Sequence, residues 1–240
     1  MSRIEIKKID EFTLKGKQKY LEDFLLSSID KGVFAVADGF GGPVAGAEAA
    51  ETACVSLKKF LEDQAGDLDA TLPFVLKNYY SLAGNVVFNS MLYANERVLH
   101  KNLGKGIHEK GGCSVIAGVL DQDTFALASA GHCQGWLRRE QHIQSLVIPR
   151  SYSRFLDSSR QVKSLHHQIP LIAVGIDELL EPEIVEFKVR KGDQVILATD
   201  GIYDQFWSRE GFSFDFSVDE MKRFFQSDLV DNLAFLKIQF

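Results

Sequence analysis

The sequence predicts an α+β fold in which antiparallel sheets pack together and are covered by helices. Three observations support this: short apolar runs separated by tight turns, two long segments of helical composition, and their order along the chain. The order is strands, two helices, further strands, a short helix and a final strand. A doubly wound parallel sheet would instead alternate strands and helices strictly.

The first elements are the clearest. Residues 24–29 and 32–37 are apolar runs around Asp30-Lys31 and predict a hairpin. Residues 46–61 have helical composition, and a second helix is predicted over residues 72–100, although Gly84 disfavours an unbroken one. The remaining predictions are strands at residues 113–120, 124–130, 135–139, 142–148, 184–189, 195–198 and 235–240, with a short helix at 219–225.

Length and composition restrict the classes of protein. The 240 residues suit a single domain, 1–240, with a polar, irregular insertion at about 151–168 that includes His166 and His167. The formal charge of −6 argues against a nucleic-acid partner. No apolar run approaches the ~18 residues of a membrane span, and the N-terminal residues lack the apolar core of a secretory signal. We therefore expect a cytoplasmic protein without a membrane segment.

The three cysteines give no sign of a zinc site or a disulfide framework. Cys54, Cys113 and Cys133 are an odd number, and none belongs to a CxxC or Cys/His ligand pattern. Each has small or apolar neighbours, so we expect buried, reduced thiols.

Carboxylates follow two apolar strands in the same way. Residues 33–37 run into Asp38-Gly39, and residues 195–199 run into Asp200-Gly201, while a third acid, Asp231, comes just before the final strand. Mg²⁺ and Mn²⁺ bind carboxylate, carbonyl and water oxygens, which three strand-end aspartates could supply. A single Asp-Gly pair is more often only a turn, so the pattern by itself leaves a metal site open.

Five segments, in order, resemble the motifs of a known family. VFAVADGFGGPVAGAEAAETA resembles the first metal motif of bacterial type 2C protein phosphatases, the metal-dependent PPM family. The others are GKQKYLEDFLL, SVIAGVLDQDTFALASAGHCQGWLRR, KGDQVILATDGIYDQF with PLIAVG upstream, and DNLAFLKIQF. The resemblance extends from about residue 16 to residue 240 and implies a four-layer α-β-β-α sandwich with two central antiparallel sheets.

The resemblance also implies a centre of two Mn²⁺ or Mg²⁺ ions. By position, Asp38 bridges both ions and the Gly39 carbonyl binds one of them. Asp200 and Asp231 complete the other, and Glu22 holds a water on the first. Asp38 and Asp200 are accordingly the expected catalytic residues.

Two close cations lower the pKa of a bridging water, so that hydroxide exists near neutral pH. They also neutralise charge on the phosphoryl oxygens during in-line attack. The expected activity is hydrolysis of phosphoserine or phosphothreonine in a phosphorylated protein, without a covalent phosphoenzyme.

Two departures affect substrate binding and proton donation. Where the family has an arginine that grips the phosphate, this chain has Gln18, which cannot make a charged bidentate clamp; Lys17 or Lys19 could act as a point charge instead. Pro43 replaces a histidine expected to protonate the leaving group. General acid help is typically worth about 10²–10⁴-fold, and aryl phosphates need it less than phosphoserine.

A third departure concerns the metals. The family's Gly-Asp-Ser-Arg becomes Gly131-His132-Cys133-Gln134, so a carboxylate associated with a third, weakly held ion becomes an imidazole. His132 could bind manganese or a softer ion, or fill space. The stretch between Asp200 and Asp231 is also short by one helix for the family, which leaves Asp228 as an alternative ligand.

Three functions are therefore compared. The first is an active metal-dependent serine/threonine phosphatase, for which all core ligands are present. The second is a catalytically weak or inactive phosphatase-like regulatory module, motivated by Gln18, Pro43 and His132. The third is hydrolysis of a small phosphorylated metabolite. Metal titration separates the second from the first, and kinetics on phosphopeptides against small phosphate esters identify the third.

Overall fold

Two five-stranded antiparallel sheets form the centre of the computed structural model, which describes residues 4–64, 75–151, 170–202 and 204–240. Sheet A contains, in spatial order, β1 (Lys8–Leu14), β10 (Leu233–Gln239), β9 (Gln194–Ala198), β6 (Gln134–Arg139) and β7 (His142–Ser145). Sheet B contains β2 (Asp23–Ser28), β3 (Val33–Phe40), β4 (Gly112–Asp121), β5 (Thr124–Ala130) and β8 (Glu183–Lys188). The predicted insertion at 151–168 lies outside the described residues apart from Ser151.

Helices cover the outer faces of both sheets. The long helices α1 (Pro43–Gln64) and α2 (Leu82–Lys101) pack on sheet B, and the short α3 (Val218–Gln226) packs against sheet A. Single 3₁₀ turns lie at Ile107–Glu109 and Asp204–Ser208. This arrangement confirms the predicted α-β-β-α sandwich. None of the helices in the described ranges combines the length and apolarity that a membrane span requires.

The alternation of side chains along β3 shows how the layers form. Val33 and Ala37 pack toward α1 and α2, whereas Phe34 and Val36 pack in the apolar layer between the two sheets. Successive side chains of a strand point to opposite faces. Asp38 lies on the same face of β3 as Phe34 and Val36, so its carboxylate lies between the sheets.

The second helix begins later than predicted. Residues 75–81 precede α2, and Ser81 caps it by accepting the Gly84 N–H at 3.2 Å. Asn89 accepts the Val75 N–H and Asn85 accepts the Lys77 N–H, so side chains of α2 bind the preceding backbone in a non-helical form. The predicted start at residues 72–74 lies outside the described residues.

The structure also adds one strand and corrects the bounds of two others. β1 was not predicted, because its alternation is broken by charged residues at an edge of the sheet. β3 continues through Asp38 and Gly39 to Phe40, paired with β4, so this Asp-Gly pair is a strand segment rather than a turn. β7 ends at Ser145 and not at residue 148.

A buried ion pair joins β1 to β10 on the outer face of sheet A. Asp10 and Lys237 are directly opposed, with Lys237 Nζ 3.0 Å from Asp10 Oδ2. Lys237 also donates to the Phe214 carbonyl at 2.9 Å, and Lys8 lies 2.7 Å from the other Asp10 oxygen. Hydrogen bonds from these cations hold the pKa of Asp10 below its ordinary value, although burial alone would raise it.

We predict that Asp10→Ala lowers the free energy of unfolding by about 3–5 kcal/mol, because Lys237 would remain buried without a counter-charge. The control is Lys8→Met, which removes a partner whose side chain is 57% exposed and should cost about 0–1 kcal/mol. Urea denaturation measures both, and equal losses in the two variants would contradict the importance of the buried pair.

Candidate metal centre

Three side chains converge at one end of the space between the sheets. Nδ1 of His132 lies 3.4 Å from Asp38 Oδ2 and 3.7 Å from Asp200 Oδ2. One ligand atom from each residue lies within 4.8 Å of the others, a grouping that could hold a metal ion. The structure thus brings together two of the predicted aspartates, Asp38 and Asp200, with His132, which stands where the related phosphatases have a carboxylate.

The backbone of each element places these groups. Asp38 is in β3, and Asp200 comes two residues after the end of β9. His132 lies in the connection between β5 and β6, directly after Gly131, whose φ of +102° favours glycine. A Cβ on Gly131 would also lie 2.3 Å from Ser114 Oγ, so a larger residue would displace the connection.

Asp23 is a site residue that the sequence analysis did not select. It lies opposite Asp38 in the β2–β3 pairing and is 6% exposed. Its Oδ2 accepts a 2.6 Å hydrogen bond from Thr199 Oγ1. The signal was present in the Glu-Asp pair at 22–23, because an acid opposite Asp38 on the same face of a sheet must lie beside it.

Thr199 connects the two sheets at this point. Its hydroxyl donates to Asp23 of sheet B and accepts the backbone N–H of Ala234 in β10 at 2.9 Å. Thr199 directly precedes Asp200 in the chain. The hydrogen bond therefore sets the position of the Asp200 segment relative to the Asp23–Asp38 pair.

Asn232 makes a second connection on the other side of the cluster. Its Oδ1 accepts the Glu22 N–H at 2.7 Å, and its Nδ2 donates to the carbonyls of Lys15 and Tyr20. Asn232 directly follows Asp231 and is 5% exposed. The loop from Lys15 to Glu22, which contains the predicted substrate-binding residues, is thereby held against Asp231.

Asp231 stands beside the three-residue grouping rather than in it. Its Oδ1 accepts hydrogen bonds from Gln18 Nε2 at 3.2 Å and from the Asn232 N–H at 2.8 Å. The Gln18 side chain is thus hydrogen-bonded to Asp231, a residue predicted to bind metal. Lys17 and Lys19 are exposed, and Lys19 lies over the Tyr20 ring.

The alternative ligand, Asp228, lies at the protein surface. Its side chain is 61% exposed and pairs with Arg209 at 2.7 Å. This placement favours Asp231 as the third acid, whose charge also acts on the groups of the cluster.

Gly39 and Glu22 lie where helix α1 approaches the end of β3. The Gly39 N–H donates to the Glu22 carbonyl at 3.2 Å, and a Cβ on Gly39 would lie 2.2 Å from the Gly46 carbonyl oxygen. A Cβ on Gly46 would lie 2.5 Å from Glu22 Oε1. Glycine at position 39 lets the helix approach this closely, whereas a Cβ at position 46 would displace the Glu22 carboxylate.

The electrostatics of the cluster are those of crowded, buried acids. Burial raises the pKa of Asp23 to about 7 and that of Asp200 to about 8, and the charge of Asp231 adds to both effects. Burial, followed by the charges of Asp23 and Asp200, raises the pKa of Asp38 well above its ordinary value. Burial lowers the pKa of His132 to about 4, against the attraction of Asp231.

These groups fit a divalent cation. Glu22 Oε1, Asp23 Oδ1 and His132 Nδ1 are buried and have no hydrogen-bond partner within the ranges that the structure describes. Buried polar atoms are normally paired, and crowded carboxylates repel each other unless a cation lies among them. Carboxylate oxygens are the donors that Mg²⁺ and Mn²⁺ prefer, so the donor set is chemically suitable.

We predict that Thr199→Val lowers the free energy of unfolding by about 2–3 kcal/mol, because Asp23 and the Ala234 N–H both lose a buried partner. Thr199→Ser keeps the hydroxyl and should recover most of the loss. Ser114→Ala is the matched control, since the buried Ser114 hydroxyl has no hydrogen-bond partner in the described part of the chain. Chemical denaturation measures the free energy of unfolding of each variant. A loss in Thr199→Val no larger than that in Ser114→Ala would refute this connection between the sheets.

Comparison with solved structures shows the fold. PppA, a key regulatory component of T6SS in Pseudomonas aeruginosa, superposes with a TM-score of 0.76 at 19% identity over 100% of this chain and 99% of that chain. The serine/threonine phosphatase Stp1 from Staphylococcus aureus gives 0.77 at 17% identity over 100% and 96%. The catalytic domain of the phosphatase PstP, in complex with two manganese ions, gives 0.75 at 17% identity over 97% of each chain.

The family assignment comes from the sequence itself. A search of curated protein sequences finds no significant match. The sequence profile of stage II sporulation protein E (SpoIIE) matches residues 30–229, which include Asp38, His132 and Asp200. The family match and the solved structures together confirm the resemblance to metal-dependent PPM phosphatases, and the low sequence identities show that this chain is a divergent relative. The chain belongs to the SpoIIE family and has the fold of the bacterial PPM phosphatases.

Proposed function

We propose that this chain is a metal-dependent phosphatase that hydrolyses phosphoserine or phosphothreonine in a phosphorylated protein. The observation that supports this most strongly is the grouping of Asp38 with the buried residues His132 and Asp200, with unpaired polar atoms in and around it. The family match and the manganese ions of the similarly folded PstP agree with it.

The proposed ligands lie on both sheets. Asp38 and the Gly39 carbonyl would hold Mn²⁺ or Mg²⁺ from sheet B, while Asp200 and Asp231 would hold it from sheet A. Glu22 would contribute through a water. When bound, divalent cations supply Lewis acidity, which makes a water nucleophilic near neutral pH and offsets charge on the phosphoryl oxygens.

Residues of the chain itself orient these groups. Asp23 and Thr199 keep Asp38 and Asp200 in register, and Asn232 keeps the Lys15–Glu22 loop beside Asp231. The loop presents Gln18 with Lys17 and Lys19, which can donate to phosphoryl oxygens.

A second candidate function is that of a phosphatase-like regulatory module with little or no turnover. A specific observation favours it: the Gln18 side chain, which replaces the substrate-binding arginine, donates to Asp231. Glutamine is neutral, so it supplies no positive charge for a phosphate, and its amide already bonds a proposed metal ligand. Activity measurements separate the two candidates.

We predict that p-nitrophenyl phosphate and a phosphothreonine peptide are hydrolysed with Mn²⁺ or Mg²⁺ and that EDTA abolishes turnover. Asp38→Asn should lose turnover and metal binding yet remain folded, because removing one anion relieves repulsion in the cluster. Asp121→Asn, which changes an exposed acid at the end of β4, is the matched control and should behave as wild type.

Full metal-dependent turnover in Asp38→Asn would show that the site is wrongly assigned. A folded wild type that is inactive with every metal would favour the regulatory module. Turnover confined to small phosphate esters, with none on phosphopeptides, would identify a metabolite phosphatase instead.

We predict that Gln18→Arg lowers KM for the phosphopeptide about tenfold, because a guanidinium adds a charge-assisted, bidentate contact to the phosphate. Lys17→Arg is the control, since it exchanges one cation for another on the same loop. Steady-state kinetics at saturating metal concentration measure KM for the wild type and for both variants. An unchanged KM in Gln18→Arg would mean that another cation already binds the phosphate.

A further inference from the structure

We infer that His132 is itself a metal ligand, and that the site it forms with Asp38 and Asp200 selects a borderline transition-metal ion over Mg²⁺. This deepens the proposed function, on which it rests in taking the cluster to bind a divalent cation. It differs from the expectation of a separate third site, because the imidazole faces the two core aspartates directly.

The observed spacings suit one ion. Two donors that each lie about 2.1 Å from an ion are about 3.0–3.4 Å apart at octahedral or tetrahedral angles and about 4.2 Å apart when opposed. His132 Nδ1 is 3.4 Å from Asp38 Oδ2, at the upper end of the first range, and 3.7 Å from Asp200 Oδ2, between the two values. A shared ion therefore requires only small side-chain adjustments.

A purely structural histidine explains the geometry less well. His132 is 4% exposed, and its Nδ1 has no hydrogen-bond partner among the described residues although two carboxylates stand near it. A packing histidine normally pairs its buried nitrogens. A nitrogen that faces two acids without bonding either is placed as a ligand would be.

The donor set determines the class of cation. Imidazole suits Co²⁺, Fe²⁺ and Zn²⁺, whereas Mg²⁺ prefers oxygen donors and retains its waters. The neighbouring Cys133 thiol donates to the Ser114 carbonyl at 3.3 Å, so its hydrogen is directed to the backbone. Two carboxylates with one imidazole therefore favour a borderline ion.

The first measurement is pulsed electron paramagnetic resonance on the Mn²⁺-loaded full chain. Coupling to a directly bound ¹⁴N nucleus is expected in wild type and should be lost in His132→Asp and His132→Gln. His142→Asp changes an exposed histidine on β7 and should retain the coupling. Bound Mn²⁺ without ¹⁴N coupling in wild type overturns the inference, and this result needs no variant to fold.

The second measurement is competition between Co²⁺ and Mg²⁺, followed by the visible absorption of bound Co²⁺. The ratio of the Mg²⁺ to the Co²⁺ dissociation constant should fall at least about tenfold in His132→Asp, as an oxygen replaces the nitrogen. An unchanged ratio in a folded variant overturns the inference. If His132 binds the metal but the protein has no turnover, the inference about His132 holds and the proposed phosphatase activity is wrong. If Mg²⁺ supports turnover without nitrogen ligation, the phosphatase activity holds and the inference about His132 is wrong.

Discussion

Negative charge buried between two sheets is the constraint on which the rest of this structure depends. Asp23 and Asp38 approach from sheet B, and Asp200 follows β9 of sheet A. Such groups are costly to bury unless hydrogen bonds and counter-charge compensate them. Thr199 provides a hydrogen bond to the Asp23 carboxylate, and the counter-charge is what a bound cation would supply.

The two hydrogen-bonding residues are direct sequence neighbours of the acids they position. Thr199 precedes Asp200, and Asn232 follows Asp231. Each bonds the adjacent pair at the start of β2, Thr199 through the Asp23 carboxylate and Asn232 through the Glu22 N–H. A shift of one sheet against the other would break both contacts, so the sandwich and the spacing of the acids are maintained together.

The outer face of sheet A is covered differently from that of sheet B. In place of a second long helix, the 3₁₀ turn Asp204–Ser208 and the following loop supply aromatic side chains beside α3. Phe206 stacks on Phe225 with centroids 4.6 Å apart, and Trp207 stacks on Phe214 at 5.4 Å. Aromatic rings bury much surface per residue, which lets a short segment cover the outer face of sheet A.

The order of the elements and the presence of an acid near the ends of two strands could be predicted from local pattern, because apolar alternation and Asp-Gly pairs are properties of neighbouring residues. Asp23 and Thr199 could not, since their hydrogen bond joins residues 176 positions apart. The late start of α2 depends on Asn85 and Asn89 bonding the preceding backbone. Asp228 is exposed and pairs with Arg209, a contact that no local pattern relates to the site.

The central claim is that a cation lies among these acids, and anomalous diffraction from crystals soaked in Mn²⁺ tests it most directly. We predict an anomalous peak in contact with the carboxylates of Asp38 and Asp200. Manganese found only on exposed acids such as Asp228, with no peak between the sheets, would contradict it.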